Sequence, residues 1–131
     1  MTCPECGDER LPFTVPSELR EYVPSEPASV LLCPHCLHLD PTEDVEAELA
    51  DFTRISSTLP EDRDVAAAMI LATALLSSLA LHRQRIDALL DRVEAAGIDP
   101  LLALDRLAAD SELEPNFDIE SRRQQLLQLR D

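Results

Sequence analysis

Four cysteines stand in two Cys-Pro-x-Cys steps, Cys3-Pro4-Glu5-Cys6 and Cys33-Pro34-His35-Cys36, with residues 7–32 between them. A Cys-x-x-Cys turn sets two sulfurs about as far apart as two corners of a tetrahedron on metal–sulfur bonds of ~2.3 Å. Two such turns therefore supply the four thiolates of a closed Zn²⁺ site. Backbone N–H groups of the turn point at the sulfurs and offset their charge. Proline after the first cysteine stiffens the turn and leaves those donors in place. Gly7 follows the first step and is free to take a positive φ that finishes it. Leu37 stands at the same place in the second step and makes that turn less ideal. The predicted ligands are Cys3, Cys6, Cys33 and Cys36, and the predicted cofactor is a structural Zn²⁺. His35 sits between two better ligands and is expected to point outward. His38 is a candidate for orienting the site from outside the ligand set.

The segments CPECG (3–7) and CPHC (33–36) resemble the zinc-ribbon or zinc-knuckle class over about residues 1–40. Members of that class serve in transcription, the ribosome, replication and many protein contacts, so the resemblance implies metal and no single function. The whole chain also resembles an uncharacterised set of small haloarchaeal zinc-ribbon proteins. Two other uses of the thiols stand beside zinc. One is iron in a rubredoxin-like site, although rubredoxin has an aromatic core and keeps the glycine that Leu37 replaces. The other is a thiol–disulfide exchanger, which wants a helix N-terminus and a βαβ setting to lower the thiol pKa; neither is legible here.

Composition supports reduced thiols. No basic N-region followed by an apolar stretch precedes Cys3, so the expected location is the cytoplasm, where cysteines serve metals or catalysis more than disulfides. Asp and Glu total 26, the basic residues total 11, and the net charge is −15. Every basic residue is arginine. A lysine-free, acidic, aromatic-poor chain resembles the proteins of salt-loving archaea. At 1 M salt the Debye length is about 3 Å, which screens most of the self-repulsion. The acidity then reports on solvent.

The elements that must position the cysteines are short. Seven of the ten prolines lie within residues 1–41, which forbids long helices there. LPFTV (11–15) and VLLC (30–33) read as β-type runs, and SELREYV (17–23) as one helical turn capped by Ser17. Such a module has too little apolar mass to stand without a metal staple. Residues 41–58 read either as an acidic linker or as a short helix over 41–50, started by Asp40, Pro41 and Glu43. Residues 59–96 carry the strongest helical signal. Thr58 and Glu61 have capping-box spacing, Gly97 is the stop, and Met69, Ala72, Leu76, Leu79, Ile86, Leu90 and Val93 recur at three- and four-residue steps that only Arg83 interrupts. Asp99-Pro100 restarts a helix over 101–109, and 118–130 reads as the last one. The predicted fold class is α+β: a small four-cysteine zinc ribbon with short β-strands (1–40), the segment 41–58, and a helical hairpin or three-helix bundle (59–131).

Val65–Leu81 carries no charge, yet it is rich in Ala, Ser and Thr and continues past Arg83, so a helix buried on more than one face is expected rather than a membrane span. With few helices to cover it, self-association through helix 65–93 is an expected partner mode.

No catalytic set is legible. Four thiolates closing a metal site leave no position for water, and two glycines, Gly7 and Gly97, make no phosphate-cradling loop. The expected function is a non-catalytic, zinc-stabilised protein-interaction adaptor. The alternative is a nucleic-acid-associated regulator that uses the ribbon. Against it, residues 1–40 hold only Arg10 and Arg20 as basic groups and only Phe13 and Tyr22 as aromatics. His82 and the basic cluster Arg122, Arg123 and Arg130 read as surface or ion-pairing residues.

Overall fold

The computed structural model describes residues 2–42, 56, 59–111, 113–115 and 117–130. Strands β1 (Leu11–Thr14), β2 (Ser29–Leu32) and β3 (Leu39–Thr42) form an antiparallel sheet in the order β1-β2-β3. Leu11 pairs with Leu32, and Leu32 also with Leu39. Pro12 and Pro41 both fall on the outer strands, where a missing N–H breaks no inner ladder. All four residues of β2 are buried. Helices follow: α1 (Arg63–Leu75), a 3-10 turn (Leu76–Ser78), α2 (Leu79–Ala95), α3 (Pro100–Ala109) and α4 (Ile119–Arg130). The fold is α+β, as the sequence predicts.

Several local expectations are corrected. Residues 17–22 form a 3-10 helix entered from Pro16, and Ser17 does not cap it. Asp40 and Pro41 lie in β3 and do not start a helix; residues 43–50 lie outside the described ones. Helix α1 begins two residues past Glu61, and its cap is Asp62, whose Oδ1 accepts from the N–H groups of Asp64 (2.9 Å) and Val65 (3.3 Å). Thr58 lies outside the described residues. Asp99 caps α3 as expected, accepting from Leu101 and Leu102 N–H. Gly97 ends α2 at φ 90, with its own N–H bonded to Glu94 O and Ile98 N–H to Val93 O, the Schellman arrangement.

The continuous helix expected over 59–96 is broken at its middle. Thr73 Oγ1 donates to Met69 O (2.7 Å) and Ser77 Oγ to Ala74 O (3.1 Å), and such back-bonding bends helices. Ser78 (φ −131, ψ 54) and His82 (φ −119, ψ 18) leave helical geometry, and α2 folds against α1. The Arg63–Ala95 stretch has the length and apolarity of a membrane span, but 67% of its most apolar window is buried inside the protein. Residues 66–75 of α1 are all buried, so this helix is covered on every side by its own chain. The apolar side chains of the sheet and of the helices form one cluster: Val15, Val30, Leu32 and Leu37 belong with Met69, Ile70, Leu90 and Leu104.

Candidate metal centre

The two Cys-Pro-x-Cys steps fold as matched turns. In the first, Cys3 N–H donates to Asp8 O (2.6 Å) and Gly7 N–H to Cys3 O (2.9 Å), and a bridge pairs Thr2 with Glu9. In the second, Cys33 N–H donates to His38 O (2.9 Å) and Leu37 N–H to Cys33 O (3.0 Å), between the paired Leu32 and Leu39. The second turn is therefore the loop of the β2–β3 hairpin, and the first is a copy of it. Both need a left-handed residue after the second cysteine. Gly7 has φ 84 and Leu37 has φ 64.

Leucine pays about 1–2 kcal/mol for that conformation. Its side chain is 1% exposed and lies in the main cluster, and burying a leucine stabilises by about 1.5–3 kcal/mol. Burial outweighs strain, so Leu37 works at this position after all and pins the second turn to the helices. The α3–α4 connection adds a second tie, with Glu114 N–H donating to His35 O (2.8 Å).

The turns bring all four predicted ligands together. Cys3 Sγ lies 3.5 Å from Cys36 Sγ, and Cys6 Sγ lies 3.4 Å from Cys33 Sγ. The sulfurs stand 3.4–3.9 Å apart. A tetrahedron on metal–sulfur bonds of ~2.3 Å has edges of about 3.8 Å, so the set fits one ion at its centre. Disulfide sulfurs would be ~2.05 Å apart; all four cysteines are free thiols. Cys3, Cys33 and Cys36 are buried and Cys6 is exposed. Backbone N–H groups of Glu5 and Cys36 point at Cys3 Sγ and Cys33 Sγ, each at 3.4 Å.

These contacts prepare the site for a cation. Burial of Cys3 opposes a thiolate, but the backbone N–H groups of Cys6 and Glu5 and the thiols of Cys36 and Cys33 lower its pKa to about 7. Burial pushes Cys36 up, and the thiols of Cys3, Cys33 and Cys6 add to the rise against the opposing backbone of His38. A divalent ion replaces the protons of the thiols it binds.

The histidines take other partners. His38 Nε2 lies 3.0 Å from Asp40 Oδ2, which also accepts from Arg10 at 2.8 Å. His38 thus supports the turn through its carbonyl, while its ring braces the sheet. The His35 ring lies between Asp8 and Glu114. The Cys6 thiol does most to raise its pKa, burial opposes, and Asp8 and Glu114 add to the rise. His82 Nδ1 sits 3.1 Å from an Arg85 guanidinium nitrogen, and burial, then Arg85, lower its pKa. Arg123 donates to Leu101 O (2.9 Å) and Arg122 to Gln125 (3.2 Å), so these two arginines serve the helices. Sequence reasoning missed β3, Asp8 and Glu114. Each acquires its role from a residue distant in the chain, and no local pattern announces that.

The match to a protein family covers residues 2–130. The chain belongs to DUF6276, a family of unknown function. No curated protein and no solved structure matches it. Membership in DUF6276 therefore carries no activity to the site, and the four converging sulfurs are its chemical content.

Proposed function

We propose that Cys3, Cys6, Cys33 and Cys36 hold a structural Zn²⁺ and that the protein is a non-catalytic protein-interaction adaptor of a salt-rich cytoplasm. The observation that carries the metal reading is the sulfur geometry: four thiols at tetrahedral separations, three of them buried, none oxidised. Four protein donors close the coordination shell, so this ion supplies folding energy and has no position for a reacting water. The three-stranded sheet with two matched turns fits the zinc-ribbon resemblance. Zinc is favoured over iron by the scarcity of aromatics, three Phe and one Tyr with no Trp. The Leu37 argument against iron loses its force, because Leu37 takes the left-handed conformation a glycine would take.

The interaction reading is supported by what the ribbon lacks for nucleic acid. Its two basic residues serve the fold, Arg10 on Asp40 and Arg20 on Val15 O. Self-association through helix 65–93 is the weaker form of this proposal, since α1 is already buried within its own chain.

The test is elemental analysis and visible absorption of the protein purified at high salt, with binding to DNA and RNA measured in the same buffer. One tightly held zinc per chain, no colour and no nucleic-acid binding support the reading. A red protein assigns iron, and tight sequence-selective binding assigns the nucleic-acid alternative.

A further inference from the structure

The exposed edge of the sulfur cluster carries a second set of donors. Cys6, Asp8 and His35 each offer one ligand atom, and these atoms lie within 4.8 Å of one another. Cys6 is the exposed cysteine of the four. His35 Nδ1 lies 3.1 Å from Asp8 Oδ2, is shielded from solvent, and makes no directed hydrogen bond. On the other side of the ring, Nε2 lies 3.5 Å from Glu114 Oε2. A metal binding here would displace the proton from the Nδ1 side, with the Glu114 carboxylate beside Nε2 to orient the ring.

Charge points the same way. Four thiolates around one divalent ion leave two negative charges, and Asp8 adds a third. The backbone N–H groups of Glu5 and Cys36 compensate Cys3 and Cys33. The ribbon's two arginines are committed elsewhere, on Asp40 and on Val15 O. A cation beside Cys6 meets three favourable donors and little competing positive charge.

We propose that Cys6, Asp8 and His35 form a second, exchangeable binding site for a zinc-class divalent ion, with the Cys6 thiolate shared between this ion and the one inside the four-sulfur cage. The donor set is one sulfur, one imidazole nitrogen and one carboxylate oxygen. That mixture suits zinc, cadmium or cobalt and is poor for magnesium. Three protein donors leave a position to water, so the second ion binds more weakly than the first and exchanges with free metal. The inference rests on the cage being occupied, because an empty cage would claim Cys6 for itself.

The test is a Zn²⁺ titration of the full chain at high salt with magnesium in excess, read by native mass spectrometry and by calorimetry. The expected result is one ion that survives a mild chelator and a second that the chelator removes. His35→Ala and Asp8→Asn should each weaken the second ion at least tenfold and leave the first in place, which also reports that the variants fold. Saturation at one ion per chain overturns the proposal. So does a second ion unmoved by both substitutions, since it then belongs to the acidic surface. A chain that holds no tight ion at all would instead refute the four-sulfur reading.

Discussion

The sharpest prediction concerns Leu37, where strain and burial oppose each other on one residue. Its φ is 64 and its side chain is 1% exposed in the main cluster. Leu37→Ala keeps the strained backbone and empties a buried site beside a cavity of about 220 Å³ that Leu37 itself lines. Buried leucine-to-alanine changes cost about 2–5 kcal/mol. Leu37→Gly empties the same site but relieves the left-handed backbone, a gain of about 1–2 kcal/mol. Glycine's greater unfolded-chain freedom takes back about 0.5–1 kcal/mol. Glycine also loses the buried Cβ, worth about 0.8 kcal/mol per buried carbon. The net expectation is that glycine matches alanine to within about 1 kcal/mol, in place of glycine's usual deficit at a buried site. The assay is denaturant unfolding at high salt with free zinc held constant, since bound metal shifts apparent stability by mass action. A Leu37→Gly protein less stable than Leu37→Ala by about 1 kcal/mol or more would refute the account of this turn.

Three further outcomes follow from other parts of the structure. Asp62→Ala removes the acceptor for two N–H groups at the start of α1 and should cost about 1 kcal/mol in the same unfolding assay. Chelation under reducing conditions should loosen β1–β3 first, and hydrogen exchange should then rise in α1, because the two share one apolar cluster. Exchange confined to the ribbon would show that the helices stand alone. With a net charge of −15, stability should fall as salt is lowered from about 1 M to about 0.01 M, as the Debye length grows from about 3 Å to about 30 Å. A flat salt dependence would mean that the acidic surface does not strain the fold.

The four-sulfur cluster is legible because a Cys-x-x-Cys step is a local object whose geometry is set within a few residues. The same holds for Asp99-Pro100 and Gly97, which cap and stop helices through bonds to their immediate neighbours. What stays hidden depends on distant partners. Leu39–Thr42 includes Asp-Pro, which reads as a helix start, and becomes a strand because β2 presents a free edge to it. The break at Leu76–Ser78 lies where apolar residues keep helical spacing from Met69 to Leu79, so the sequence reads it as one helix. Folding α2 back on α1 covers α1 on more of its sides than a straight helix allows, and this tertiary gain sets the break. A local reading makes Leu37 a weaker glycine, because it sees the strain and misses the burial.

The single core changes what a metal ion at one edge of the protein can do. Two small modules joined by a linker would let the ion stabilise only the ribbon. Here the second cysteine turn reaches the helices through two ties, the Leu37 side chain in the shared cluster and the Glu114 N–H on His35 O. Structural zinc supplies about 10–16 kcal/mol of apparent binding energy in finger peptides, whereas a domain's whole net stability is about 5–15 kcal/mol. An ion of that strength is comparable with everything else that holds the chain. If it orders the cysteine turns, it also fixes Leu37, β2 and the α3–α4 connection, and through them one face of the packing around α1. A chain rich in acidic residues and short of large side chains gains most from such an anchor, because neither its surface nor its alanine-rich central helix offers a comparable source of stability.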